Sequence, residues 1–269
     1  MVVLLVAIAD VHGNLAQEAA PLAAILGVAA YDVKLWLSAA LPRVVFQSEL
    51  REEADVVLGA IRARGHGALA CDASAIVTSD VVNVKRISID TMRIGANDGA
   101  GDRLPYDSIG ALIHVATRSD VERVTRESEP PYEGIHSGRP PQTGVRDRTS
   151  HEHILEHALF VFPVDGLRPW VILERGTKYL GLGPAMRPTA HENFHATIDL
   201  LRERAPNASY DDRFVGSSKT PNKVVRVRGS GAPEVPAEHG DPSVHLLALW
   251  LMRGNENPYR DAAPTGRAT

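Results

Sequence analysis

One cysteine, Cys71, stands in a chain of 269 residues, so no internal disulfide can form and a reducing compartment fits best. Cys71 falls in a short apolar segment and reads as a small buried hydrophobe rather than a nucleophile. There is no basic excess: 29 Lys plus Arg against 33 Asp plus Glu give a formal charge of −4, so no overall field favours nucleic acid or an anionic membrane. No hydrophobic run reaches the roughly 18–20 residues a bilayer requires. Val2 to Ala9 has no basic region before it, meets Asp10, and reads as a buried strand rather than a secretory signal. Val244 to Met252 is interrupted by His245 and reads as a short docking helix. No membrane span and a cytoplasmic location are therefore expected. P-loop, Gly-x-Gly-x-x-Gly and Gly-x-Ser-x-Gly patterns are all missing, which withdraws support from nucleotide cradles and the common hydrolase elbow. No repeat recurs at solenoid periods.

What is present is an ordinary globular composition, 44% hydrophobic and 23% charged, in a chain longer than the roughly 100–200 residues of a typical domain. Two domains are expected, in the α+β class. Over residues 1–78 the pattern reads strand, helix, helix, strand, helix, strand. Residues 2–9 are the first strand, ended by Asp10-Val11-His12-Gly13-Asn14. Leu15, Ala19, Leu22, Ile25 and Leu26 recur at helical spacing between Asn14 as N-cap and Gly27 as stop, with Pro21 predicted to kink the helix. A second helix is expected over Ala29 to Ala40, a strand at Val44 to Phe46, a third helix over Glu52 to Arg64, and a last strand at Ala68 to Cys71. That order makes a small α/β sandwich with its helices on one face of the sheet.

Gly27-Val28-Ala29-Ala30, Pro42 and Ala63-Arg64-Gly65 follow the spacing of a helix opening after glycine, a proline before the middle strand, and a helix closing on Ala-Gly. On these features residues 1–78 resemble the C-terminal domain of the bacterial ribosomal stalk protein. In that family lysines on the early helices dock translation factors. Here Leu15 to Leu26 holds neither lysine nor arginine, so the resemblance implies the fold rather than the translational role.

Strand signals return at Val84 to Ile89, Met92 to Ile94 and Arg103 to Thr117, then at Leu155 to Phe162 and Trp170 to Leu180. Between them, residues 119–150 carry charge, proline and glycine without apolar period and are expected to be a flexible insertion. After Pro188 a helix places Phe194, Ile198 and Leu201 on one stripe. Leu104-Pro105-Tyr106-Asp107-Ser108-Ile109 leading into a strand, with several strands closed by one amphipathic helix, resembles the bacterial pleckstrin-homology-like family. The resemblance implies an antiparallel barrel with a C-terminal helix over about 82–205. Residues 206–269, rich in Pro, Gly and Ser, are expected to be a mostly disordered tail with a short helix near 243–253.

Three patterns invite chemistry. Asp10-x-His12-Gly13-Asn14 after a strand resembles the opening motif of calcineurin-like metallophosphoesterases, in which the Asp and His take the first metal. A two-metal centre of that kind needs a Gly-Asp about 25–35 residues further on, a Gly-Asn-His and a late Gly-His-x-His, and none stands at its place here; a strand-to-helix turn capped by Asn14 accounts for the residues. His191-Glu192-Asn193-Phe194-His195 matches His-Glu-x-x-His, whose spacing sets both imidazoles on one helix face toward zinc with Glu192 as general base. The extended form is lacking because Ile198 stands where a glycine is needed, and a third ligand would come from a late loop residue such as Glu234 or Glu238. His151, His153 and His157 form a cluster before a strand, and with His191 and His195 they can in principle assemble a site.

The leading expectation is a non-enzymatic cytoplasmic interaction module whose partner is another protein, with no cofactor, no nucleic acid, and Trp36 or Trp170 as anchors if exposed. A modestly basic segment, Arg202, Arg204, Lys223, Arg226 and Arg228, reads as a solvated face. The alternatives are a zinc metallohydrolase or metallopeptidase through His191, Glu192 and His195, and a metallophosphoesterase through Asp10 and His12.

Overall fold

The computed structural model describes residues 3–76, 81–97, 103–128, 145–164, 167–215 and 242–254. The N-terminal aliphatic run forms strand β1 (Leu4–Asp10), buried through Ala9. A run that is apolar at every position, rather than at alternate ones, needs cover on both faces of its sheet. On one face Leu4, Val6 and Ile8 meet the helices α1 (Leu15–Leu26), α2 (Ala30–Leu37) and, beyond strand β2 (Arg43–Ser48), α3 (Arg51–Ala63). On the other, Leu5, Ala7 and Ala9 pack with Leu69 and Cys71 of β3 (Gly67–Asp72). The order β2-β1-β3 is antiparallel throughout.

Local chemistry sets the helix ends. Asn14 Oδ1 accepts the Ala16 N–H at 2.8 Å, and Gly27, at φ 66°, lets the Val28 N–H return to the Ala23 carbonyl at 3.1 Å. Pro21, expected to kink α1, lies inside one continuous helical segment. In α3 the buried stripe is Ala54, Val57, Leu58 and Ile61, as its spacing predicts.

The rest of the chain builds a mixed five-stranded sheet, β11-β8-β9-β10-β4, and a three-stranded antiparallel one, β5-β6-β7. Their ranges are β4 (Val82–Val84), β5 (Ile87–Ile89), β6 (Arg93–Ala96), β7 (Arg103–Pro105), β8 (Ile109–Ser128), β9 (Val145–Pro163), β10 (Trp170–Leu173) and β11 (Ser209–Phe214). Helix α4 (Ala190–Arg204) lays Phe194, Ile198 and Leu201 on the five-stranded sheet, against Leu112, Leu159 and Val161. The opposite face, Ala111, Ile113, Phe160 and Phe162, is taken by Val244, Leu247 and Ala248 of α5 (Pro242–Arg253).

Helix α5 also carries Leu246 into the cluster with Leu5, Ala7 and Leu69, so it lies between the two sheets. Six consecutive residues, Ser243 to Ala248, are buried, a helix covered all round. The approach is close: a Cβ on Gly67 would stand 2.9 Å from both the Asp10 Cβ and the Trp250 ring, so only glycine fits where β3 passes under α5. Arg213, held by Asp211, donates to the Ala9 carbonyl at 3.2 Å and ties β11 to the end of β1.

The mixed α+β class holds, and the finer expectations need correction. The described strands close no barrel, and two pairs, β11 with β8 and β10 with β4, are parallel rather than antiparallel. Residues 119–128 and 145–150, expected inside a flexible insertion, are paired strand, in register from Ser119–Ile154 to Ser128–Val145. Their polar sequence carries no apolar alternation to signal this; residues 129–144 lie outside the described ones. In the expected tail, Ser209–Phe214 is a strand paired with β8, and the helix expected near 243–253 is α5. No single described helix is long and apolar enough to cross a membrane.

Leu247 is fully buried between α5 and the larger sheet. Leu247→Ala is expected to cost about 2–5 kcal/mol in urea unfolding. Val56→Ala, on the exposed side of α3, should stay within about 0.5 kcal/mol of the native chain.

Candidate metal centre

The residues that converge come from five elements. Period-two alternation in β8 sends Ala111, Ile113 and Val115 toward α5, so Leu112 and His114 turn to the α4 side. In β9 the same rule sends Phe160 and Ala158 one way and Leu159, with His157, the other. Glu174 follows β10 directly, its N–H bonded to the His157 carbonyl at 2.8 Å. His191 and His195 stand one turn apart on α4, and Tyr210 comes from β11.

The start of α4 is held firmly, which fixes where its histidines point. Thr189 caps the helix, and buried Asn193 donates to the Arg187 and Thr189 carbonyls at 2.9 and 2.8 Å while accepting the Arg187 N–H at 2.6 Å. The His191 and His195 rings meet edge-on at 4.5 Å between centroids, and His195 lies 5.7 Å from His114 and 6.0 Å from His157. His114 Nε2 and His157 Nδ1 are hydrogen-bonded at 2.9 Å, and the other nitrogen of His114, Nδ1, is 3.4 Å from the Tyr210 hydroxyl.

His157, Glu174 and His191 each bring one ligand atom within 4.8 Å of the others. Glu174 is 7% exposed; its Oε1 lies 3.4 Å from His191 Nδ1, and its Oε2 has no hydrogen-bond partner among the described residues. A buried carboxylate oxygen without a partner is costly, and a cation against it removes the cost. Burial, with His157 and His195 as neighbours, pushes the His114 imidazole down to about 4, and burial also lowers His157 against the pull of Glu174. Neutral imidazoles with free lone pairs are the form that metals bind.

Of the residues singled out in the sequence, His157, His191 and His195 meet here. Glu192 does not: its carboxylate accepts from the Thr189 N–H at 3.2 Å and hydroxyl at 2.9 Å, completing a capping box on the exposed start of α4. The carboxylate in the centre is Glu174. His151 and His153 stand six and four residues before His157 along β9, about 13–20 Å away at ~3.3 Å per residue. Glu234 and Glu238 lie outside the described residues.

Asp10 and His12 gather no metal-ligand group among the described residues. Their turn is fixed by hydrogen bonds. The His12 N–H donates to Nδ1 of buried His66 at 3.1 Å, and His66 Nε2 meets Glu18 at 3.2 Å, with Arg64 on the same carboxylate at 2.7 Å. Cys71 is buried and its thiol is pushed up to about 12, as an inert core residue. Trp170 is buried and Trp36 packs on the N-terminal core. Arg202 lies over the Tyr210 ring at 4.4 Å, and Arg204 donates to the Asp90 carbonyl, so these cations pack on the fold; Lys223, Arg226 and Arg228 lie outside the described residues.

His114, Glu174 and Tyr210 escaped the sequence reading. For His114 a signal existed: a lone imidazole inside the aliphatic strand Ala111-Leu112-Ile113-His114-Val115. The cluster thus defines a class of site, an imidazole–carboxylate centre between a sheet and the first turns of a helix. Compared with protein-family models, curated proteins and solved structures, the chain matches none.

Below its ordinary 6.5, an unfolded His114 takes up a proton that the folded one resists until about 4. The unfolded state then binds more protons, so metal-free protein is expected to lose stability as pH falls through this window, by at most about 3 kcal/mol, and to be flat above it. Urea midpoints across the window test this, with His114→Phe expected to flatten the slope.

Proposed function

We propose that this protein binds a divalent transition metal, zinc first, through His157, Glu174 and His191. The observation that carries the reading is Glu174, a buried carboxylate with one oxygen on His191 and the other without a partner, in a cluster of imidazoles. Two imidazoles and a carboxylate suit zinc and leave a fourth position for water or a further ligand. The His191 side chain, 56% exposed, stands at the open side of the cluster, and His195 is the next imidazole within reach. Because Glu192 is engaged with Thr189, the reading is of a metal-binding protein and assigns no hydrolytic base.

A second reading concerns the N-terminal part, as a module that binds another protein. It is favoured by Tyr31 and Leu35, 74% and 54% exposed one turn apart on α2. A partner retained by the native chain and lost by a Tyr31→Ser, Leu35→Ser variant supports it; equal retention by both removes it.

The metal reading is tested by elemental analysis and titration calorimetry on tag-free protein loaded with zinc. About one zinc per chain is expected, with Glu174→Gln and His191→Ala each weakening binding by at least tenfold. Native-level binding by both variants would remove this centre.

A further inference from the structure

We infer that His114 is the positioning residue of this centre: as acceptor of the His157 Nδ1–H it keeps a metal-bound His157 in the one tautomer that offers Nε2, through a hydrogen-bonded chain that ends at Tyr210. The inference rests on the metal-binding reading of His157, Glu174 and His191, and adds to it an outer layer with a fixed direction.

His157 Nδ1 is taken by His114 Nε2 at 2.9 Å, so the nitrogen left for a metal is Nε2. A ligating nitrogen carries no proton, and a neutral imidazole has one, so the proton of a metal-bound His157 sits on Nδ1. That N–H must donate to His114 Nε2, which must then be bare. The single proton of His114 is left on Nδ1, 3.4 Å from the Tyr210 hydroxyl oxygen, which can accept it. Every step has an acceptor, and only this direction is compatible with a metal on His157.

Without a metal the opposite direction satisfies the same contacts: Tyr210 donates to His114 Nδ1, and His114 Nε2–H donates to His157 Nδ1. Metal binding therefore sets the direction of the whole chain. The surroundings keep its members from escaping into charged forms. His114 is 4% exposed, packed against Phe194 at 5.4 Å and His195 at 5.7 Å. Tyr210 has its phenol pushed up by burial, then by Asp212, with Arg202 opposing. Outer partners of this kind orient a metal-ligating histidine and fix its tautomer, and their loss costs about 10–100-fold in metal affinity.

The test uses the full chain labelled with 15N in its histidines, with and without zinc, read by long-range proton–nitrogen correlation. The expected result with zinc is a metal-shifted Nε2 and protonated Nδ1 on His157, together with a protonated Nδ1 and bare Nε2 on His114. Zinc that binds while His114 keeps its proton on Nε2, or that sits on His157 Nδ1, overturns the inference and leaves the centre standing. No zinc binding at all overturns both. Affinities give a second reading on folded variants, checked by their melting. His114→Phe, which has no acceptor, should lose about 10–100-fold in zinc affinity, and His114→Gln, whose amide oxygen can accept from His157 Nδ1–H, should recover part of it. Native affinity in His114→Phe overturns the positioning role.

Discussion

A helix that is buried all the way round cannot lie on a surface, and α5 is such a helix: Ser243 to Ala248 are buried without a break. It needs cover on two sides, and two of the three sheets supply it. Leu246 faces the small sheet of β1 and β3, while Val244 and Leu247 face the five-stranded one. This explains why β1 is aliphatic at consecutive rather than alternate positions, and why Gly67 has no room for a side chain beside Trp250. The two parts of the chain share a core through a helix that lies far from both in sequence.

The candidate metal centre is a consequence of the same arrangement seen from the other face. Because β8 and β9 present Ile113 and Phe160 to α5, strand parity turns His114 and His157 to α4. There they meet Phe194, whose burial anchors α4, and the histidines one turn apart beside it. The sheet is therefore the backing of the cluster. The scaffold sets imidazoles around a buried carboxylate with one oxygen that no described donor meets, an arrangement that costs free energy unless something positive joins it.

What could be read from the sequence follows from how local each signal is. The stripe Ala54, Val57, Leu58 and Ile61 defines α3 within a few turns, and Asn14 and Gly27 mark α1 by contacts with residues beside them. The spacing of His191 and His195 is local as well. Pairing in the ribbon of β8 and β9 is set by long-range register, and its polar sequence leaves no periodic trace. Ser209 to Phe214 reads as tail because half its residues are charged, yet it pairs with β8. Glu174 becomes a partner of His191 only through the packing of α4 on the strand end, which no spacing in the chain records.

The His-Glu-x-x-His pattern shows how a motif can be correct in one part and misleading in another. Its helical period does bring His191 and His195 to one place. The period also puts Glu192 three residues after Thr189, where a capping box satisfies both, and that local demand outcompetes a role in the centre. A carboxylate is still present, supplied by Glu174 directly after β10 and buried where Glu192 is exposed. A glutamate spent on a helix end remains in water with its hydrogen bonds made, whereas Glu174 has lost water at one oxygen and gained no donor there. Of the two, it is Glu174, outside the motif, that has the larger free energy to gain from a cation.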